Sequence, residues 1–369
     1  MKEQIKNTLI IRFDNLGDLI MLSPAIKIIK EQTRGKVTLL ISHQAACVAP
    51  LLEGVDEIIV IEIPWIKNSA IQANRFHNFQ KTIEAINHKN FDACFIFTVY
   101  SQSPLTTALL PWLAEIPIIA AYCRENPYQL ITHWIVDEEP FTHIKHELDR
   151  NLYLLKQLGF KISSAGLPIL KTPPQGRKLE NGSPSLKKPY IIIHPGVSET
   201  KREYPTVLWK AIIESLLKDN KYHILLTGDQ KDKDKYKSLN QIKRENFHSK
   251  MGCTNLAQLC SLISNSSGMI SVNTGPSHIA MSYNIPIVVL YAETNPQHSP
   301  WSSFSKALYF STPKSKQSKN YIIQTVNQQL YSQLKRPHPT SGEITKTLYK
   351  LIEDKKNSFE TKSTAQLKT

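Results

Sequence analysis

The chain opens with a short apolar run over residues 8–11, then the polar turn Arg12-Phe13-Asp14-Asn15-Leu16-Gly17-Asp18, then apolar positions at Leu19, Leu22, Ile26 and Ile29. Four to eight apolar residues bounded by turn residues predict a strand, and spacings of three and four predict one face of a helix. The alternation continues with strands over 37–41, 57–63, 91–97 and 116–122. Helices are predicted over 45–52, 68–88, 103–115 and 143–159. A second series follows, with strands over 190–194, 223–227, 268–272 and 287–291. Its helices cover 205–218, 231–244 and 256–263, and one opens near Pro276. Residues 312–340 show no clear period, 343–353 predict a last helix, and the polar stretch 355–369 predicts disorder.

Strands alternating with helices imply an α/β fold, a parallel sheet with helices on both faces. Between the two series lies a segment broken by Pro168, Pro173, Pro174, Gly176, Gly182, Ser183, Pro184 and Pro189, the composition of a linker. The predicted organisation is therefore a domain over 1–160, a linker over 161–189, a second domain over 190–340, a helix over 341–354 and a tail over 355–369. Two doubly wound domains in tandem make the cleft between them the default site. The length of 369 residues agrees, since one core rarely grows past about 250–300 residues.

Composition narrows the class. No stretch approaches the 18 or more apolar residues of a membrane helix. The first seven residues lack the apolar core of a signal peptide, which predicts a cytoplasmic protein. The five cysteines form no CxxC pair and read as reduced core thiols, not as a zinc site or disulfide framework. The net charge of +14 divides into −2 over residues 1–160 and +16 over 161–369, much of the excess in the linker and tail. Lysines spread over such segments read as solvated surface, so nucleic acid is not an expected partner. A loose attraction to anionic lipid is compatible with the same charge.

Asp18 falls where a strand has ended and a helix begins, at the carboxyl edge of the sheet, where ligands collect. On these grounds it reads equally as an N-cap accepting hydrogen bonds from first-turn amides or as an active-site carboxylate. In the second series three loops follow predicted strands. In the first, Gly196 permits close backbone approach, and Ser198, Thr200, Lys201 and Arg202 offer donors to phosphate oxygens. In the second, Asn273-Thr274-Gly275-Pro276-Ser277-His278 starts a helix, whose free amides and positive dipole end suit an anion. The third is the long loop over 291–301. Each alone reads as an ordinary turn; three at one sheet edge read as a phosphate site. No GxxxxGK[ST] and no GxGxxG after a strand are present, which argues against a P-loop NTPase and a dinucleotide oxidoreductase. Asp232-Lys233-Asp234 has a DxD spacing but sits in a charged helical face, and no HExxH or Cys/His cluster suggests a catalytic metal.

The stretches LIIRFDNLGDLIMLSPAI, HPGVSETKREYP, LLTGD, VNTGPSHIAMSYNIPIVVLY and the TNP loop, in this order, resemble glycosyltransferase family 9, the ADP-heptose:lipopolysaccharide heptosyltransferases. The resemblance runs from about residue 8 to residue 301. It implies a GT-B fold of two Rossmann-like domains, with the acceptor on the first and the nucleotide-sugar on the second. It also implies an inverting reaction without a cofactor or metal. Gly17-Asp18 matches the Gly-Asp of the family's opening loop, where Asp18 falls at the general base, with Asp14 and Asn15 on the same acceptor-side loop. Arg202 matches the basic residue before the aromatic-Pro pair, here Tyr204-Pro205, and Thr274-Gly275 matches the polar-Gly pair at the diphosphate-binding helix. Gly196, Ser198, Thr200, Lys201, Asn273, Ser277 and His278 complete the expected donor site.

Two positions depart from the pattern: Asn273 and Asn295 stand where the family usually has Asp, which leaves the donor's identity open. The resemblance implies heptose from ADP-heptose, a glycolipid or lipopolysaccharide-core acceptor, and a monomer at or near the cytoplasmic face of the inner membrane. The alternatives are another nucleotide-sugar used for a different surface polysaccharide, and a non-catalytic nucleotide-sugar-binding protein. A helix N-terminus weakens a carboxylate as a base, so Asp18 needs its basicity restored by its surroundings.

Overall fold

Aliphatic runs without polar alternation are stable as strands only where both sheet faces are covered, and the chain builds two such sheets. The computed structural model describes residues 4–62, 64–65, 75–163, 165–172, 189–331 and 335–366. It divides into two compact units, Met1–Lys171 and Thr172–Thr369.

In the first unit the strands are β1 (Asn7–Arg12), β2 (Lys36–Ser42), β3 (Glu57–Ile61), β4 (Ala93–Ile96), β5 (Ile118–Cys123) and β6 (His133–Val136). The helices are α1 (Leu16–Thr33), α2 (His43–Ala46), α3 (Arg75–Asn87), α4 (Leu105–Leu113) and α5 (Glu147–Gln157). All strand pairs are parallel, in the order β3-β2-β1-β4-β5-β6. Ile11 pairs with Leu40 on one side and Ile96 on the other, so β1 lies at the centre. The order reverses between β1 and β4, and such a switch point opens a crevice at the carboxyl ends of the strands.

The second unit repeats the plan. Its strands are β7 (Tyr190–His194), β8 (His223–Leu226), β9 (Phe247–Ser249), β10 (Gly268–Val272), β11 (Ile287–Ala292) and β12 (Ser305–Phe310). Its helices are α6 (Thr206–Asp219), α7 (Gln230–Lys235), α8 (Lys237–Asn240), α9 (Leu256–Ser264), α10 (Gly275–Ser282), α11 (Tyr321–Tyr331) and α12 (Ser341–Gln366). The sheet is again parallel, in the order β12-β11-β10-β7-β8-β9, with its switch point between β7 and β10. The α/β class and the Rossmann-like sheets are as expected.

Several boundaries differ. Strands β6, β9 and β12 carry no clear sequence signal because they are short or half-exposed edge strands. The single helix expected over 231–244 is two short ones, interrupted at Tyr236, whose ring turns into the core. The segment over 312–340 contains α11. Residues 367–369 lie outside the described residues, and over 355–366 the expected disorder is replaced by helix, since α12 runs unbroken to Gln366. Ile344, Leu348 and Ile352 bury one stripe of it against the second core, and the lysine- and glutamate-bearing turns that follow are good helix formers. Part of the expected helix over 68–88 and most of the expected linker, residues 66–74 and 173–188, lie outside the described residues. The cysteines are free, but only Cys94, Cys123 and Cys260 are buried; Cys47 and Cys253 are exposed, so the core-thiol expectation fails for two.

Candidate active site

β1 ends on a charge. After Leu9-Ile10-Ile11 the strand closes with Arg12, which is fully buried, and a buried guanidinium needs partners. It has three: Asp14 at 2.7 Å, Asp18 at 3.2 Å and Glu147 at 2.8 Å, one carboxylate to each of Nε, Nη2 and Nη1. One cation among three carboxylates leaves an excess of two negative charges. Asp18 is not the N-cap; Asn15 is, and Asp18 is the third residue of α1, where its Oδ2 accepts the Asn15 N–H at 3.1 Å. Gly17 and Asp18 are buried in this first turn, Asp18 at 4% exposure.

Asp14 is the outermost of the three carboxylates. Burial pushes it up to about 6, and Asp18 and Glu147 add to the rise, while Arg12 and a hydrogen bond from Gln102 Nε2 at 2.6 Å oppose it. Glu147 opens α5, behind the N-cap His146, whose Nδ1 accepts the Leu148 N–H at 3.2 Å. One turn on, Arg150 is bidentate to Asp137 at 2.8 and 2.9 Å, meets Glu139 at 2.6 Å and donates from Nε to the Thr98 carbonyl at 3.0 Å. Helix α5 thus braces both flanks of the switch point, through Arg12 on β1 and through Thr98 beyond β4.

The crevice at that switch point holds a cavity of about 360 Å3. Ile11 and Ile96 form its floor, and Phe13, Asp14, Trp65, Phe97 and Gln102 are among its walls. Trp65 is held in place by a hydrogen bond from Nε1 to Thr107 Oγ1 at 3.2 Å and by an edge contact with Phe79.

In the second unit, the two loops that flank the β7/β10 switch point are the first two picked out from the sequence. Arg202 ties them together, donating from Nη1 to the Asn273 carbonyl at 3.2 Å. The loop after β7 ends in a 3₁₀ turn, Thr200–Arg202, with Ser198 and Thr200 exposed. Glu199, which the sequence reading passed over, pairs with both Lys201 at 3.3 Å and Arg202 at 3.0 Å, and with Glu203 the loop between β7 and α6 holds two acids against two bases. A Cβ on Gly196 would lie 2.1 Å from Asp232 Oδ2. Asp232 is engaged in the N-terminal capping box of α7, bonding reciprocally with Asp229 at 2.8 and 3.0 Å. That box accounts for half of the DxD spacing, and among the described residues no three His, Cys, Asp or Glu gather as a metal site.

The loop after β10 starts α10 with Thr274 as N-cap, Gly275 as first residue and Pro276 as second. Ser277 donates both its N–H, at 3.1 Å, and its hydroxyl, at 2.6 Å, to the Thr274 carbonyl, so its amide serves the turn. His278 is buried and accepts from Trp301 Nε1 at 3.2 Å. Asn273 donates from Nδ2 to Thr294 Oγ1 at 3.1 Å, which joins this loop to the third. There Asn295 caps the 3₁₀ turn Pro296–His298 through the Gln297 N–H at 3.0 Å. His194, at the end of β7, is pushed down to about 4 by burial, and its Nδ1 lies 3.0 Å from Thr227 Oγ1.

Two groups form: Asp14, Asn15, Gly17 and Asp18 in the first unit, and Gly196, Thr200–Arg202 and 273–278 in the second. The sequence reading missed Arg12, Glu147, Trp65 and Glu199. For Arg12 there was a signal, a charge closing an aliphatic strand; its distant partner Glu147 had none.

Known proteins carry the same plan. The profile of glycosyltransferase family 9 (heptosyltransferase) matches residues 80–329. Lipooligosaccharide heptosyltransferase 2 of Haemophilus influenzae is 23% identical over 267 residues, 68% of this chain and 73% of that protein. The glycosyl transferase family 9 structure from Veillonella parvula superposes with a TM-score of 0.74 at 17% identity, over 96% of this chain and 99% of that one. The E. coli ADP-heptose lps heptosyltransferase II gives 0.71 at 17% identity, over 95% and 99%. The GT-B fold and the match over more than half of its length make this chain a member of glycosyltransferase family 9, and a glycosyltransferase.

Proposed function

We propose that the chain transfers a sugar, heptose from ADP-heptose as the leading candidate, to a hydroxyl of a lipopolysaccharide-core or related surface-glycan acceptor, with inversion. The observation that carries this is the buried carboxylate group at the first sheet's switch point, Asp18 and Asp14 around Arg12. The acceptor oxygen attacks the anomeric carbon as the bond from that carbon to the diphosphate oxygen breaks. The acceptor proton passes to Asp18, a step worth roughly 10²–10⁴-fold. The nucleoside diphosphate leaves with its growing charge met by Arg202, Lys201 and the start of α10. The proposed reaction uses neither a metal ion nor a cofactor.

Asp18 shares its guanidinium with two other acids. Arg12 is therefore not a dedicated ion-pair partner of Asp18, since Asp14 and Glu147 hold its other two nitrogens. Replacing Asp18 with Asn tests the assignment. The variant should keep its fold and its nucleotide-sugar affinity while turnover falls at least a hundredfold; near-normal transfer would sink the role. Heptose as the donor sugar is tested separately, by thermal shift with ADP-heptose against UDP-hexoses. Asn273 and Asn295, which stand where acids are usual, favour the alternative of a different nucleotide-sugar, and a clear preference for UDP would establish it.

A further inference from the structure

The cavity of about 360 Å3 in the first unit has a chemistry of its own. Its floor is the end of β1 and β4, and three aromatic residues, Phe13, Trp65 and Phe97, are among those that line it. Aromatic faces offer a flat apolar surface to the C–H face of a sugar ring, while hydroxyl groups at the ring edge need hydrogen-bonding partners. Asp14 and Gln102 line the same space and are already paired with each other at 2.6 Å. Trp65 is fixed by a hydrogen bond to Thr107, itself a lining residue, and by an edge contact with Phe79.

The electrostatics are one-sided. Among the described residues, no Lys, Arg or His lines the cavity, and Asp14 is its one charged side chain. Arg12 stands directly behind Asp14, but it is fully buried, and three carboxylates more than cancel its charge. Among the described residues that line the cavity, an anionic group meets the like charge of Asp14 and no cation.

We propose that this cavity is the acceptor subsite and that it takes an uncharged sugar ring, a hexose or heptose whose hydroxyls bond Asp14 and Gln102, in preference to a sugar acid or a phosphorylated sugar. The identification as acceptor subsite rests on the transferase reading above; the preference for a neutral ring rests on the cavity. It narrows the acceptor to a glycan whose receiving residue carries no carboxylate or phosphate of its own.

The test is direct binding to the full chain at pH 7.5, read by saturation-transfer NMR titration without donor. Matched probes differ only in charge: methyl β-D-glucoside against methyl β-D-glucuronide, and a methyl heptoside against its 4-phosphate. The neutral member of each pair should bind about tenfold more tightly. Trp65→Ala should weaken the neutral glycosides about tenfold while ADP- and UDP-sugar affinities stay unchanged. Asp14→Asn, which keeps hydrogen bonding but removes the charge, should narrow the gap between neutral and anionic probes. Equal or tighter binding of the anionic members, an unaltered Trp65→Ala titration, or no binding of any neutral glycoside would each overturn the proposal. If neutral glycosides bind as stated but no nucleotide-sugar binds the chain, the transferase reading fails and the neutral-ring preference stands.

Discussion

At the scale of single residues, the consequential group is Asp14. Its carboxyl is held up near 6 in the folded chain, against roughly 3.9 for an unperturbed Asp. Below about pH 4 it is neutral in both folded and unfolded states. From there to about 6, unfolding releases its proton, so stability falls as pH rises, and above about 6 the loss is complete. Asp14→Asn removes this dependence. Urea unfolding should show the variant gaining on the wild type as pH rises from 4 to 7, by on the order of 2 kcal/mol at the top. A gain that shrinks with rising pH would contradict the placement of Asp14. None of this could be read from the sequence, where Asp14 is one acid in a turn. Its environment is made by Glu147, 133 positions away, and by Gln102, 88 positions away.

Among elements, the candidate site residues sit on loops, and helix starts hold the loops. Gly196 is the tightest case, since its backbone passes against the Asp232 carboxylate. An alanine there must displace a side chain fixed by the α7 capping box, a motif worth about 1 kcal/mol. Gly196→Ala should therefore destabilise the second unit by at least that amount. In the Asp232→Ala background it should cost little, a non-additivity measurable by thermal unfolding of the two singles and the double. The strands legible in the sequence were the central ones, β1, β2, β4, β5, β7, β8, β10 and β11, where aliphatic runs are buried, together with the edge strand β3, whose Glu57-Ile58-Ile59-Val60-Ile61 is aliphatic enough to be read. The edge strands β6, β9 and β12 have one open side and mixed composition, and pattern alone passes them over. The candidate loops could be picked out because they follow central strands. The charges that neutralise them, Glu199 above all, were not, because pairing is a property of the folded loop.

At the scale of the molecule, two units of the same strand order each place their polar loops at a switch point. In the second unit the covering layer comes from the end of the chain. Leu348 and Ile352 of α12 reach Gly268 of β10, where a Cβ would meet them at 3.1 and 3.2 Å. The last predicted helix is thus part of the second core, and the polar composition of the turns after it concealed how far it runs. Leu348→Ala should cost about 2–5 kcal/mol of stability by the cavity it leaves, as measured by denaturant unfolding. A loss below about 1 kcal/mol would mean that α12 is peripheral.

The Arg12 cluster also constrains how this sequence can drift. Losing the guanidinium first strands three buried carboxylates, a change costing several kcal/mol that a marginally stable domain does not survive. Losing Glu147 or Asp14 first leaves the cation still matched by two acids. Substitution here therefore has a permitted order, acids before arginine, and lineages that carry a neutral residue at this strand end should already have shed at least one of the three acids.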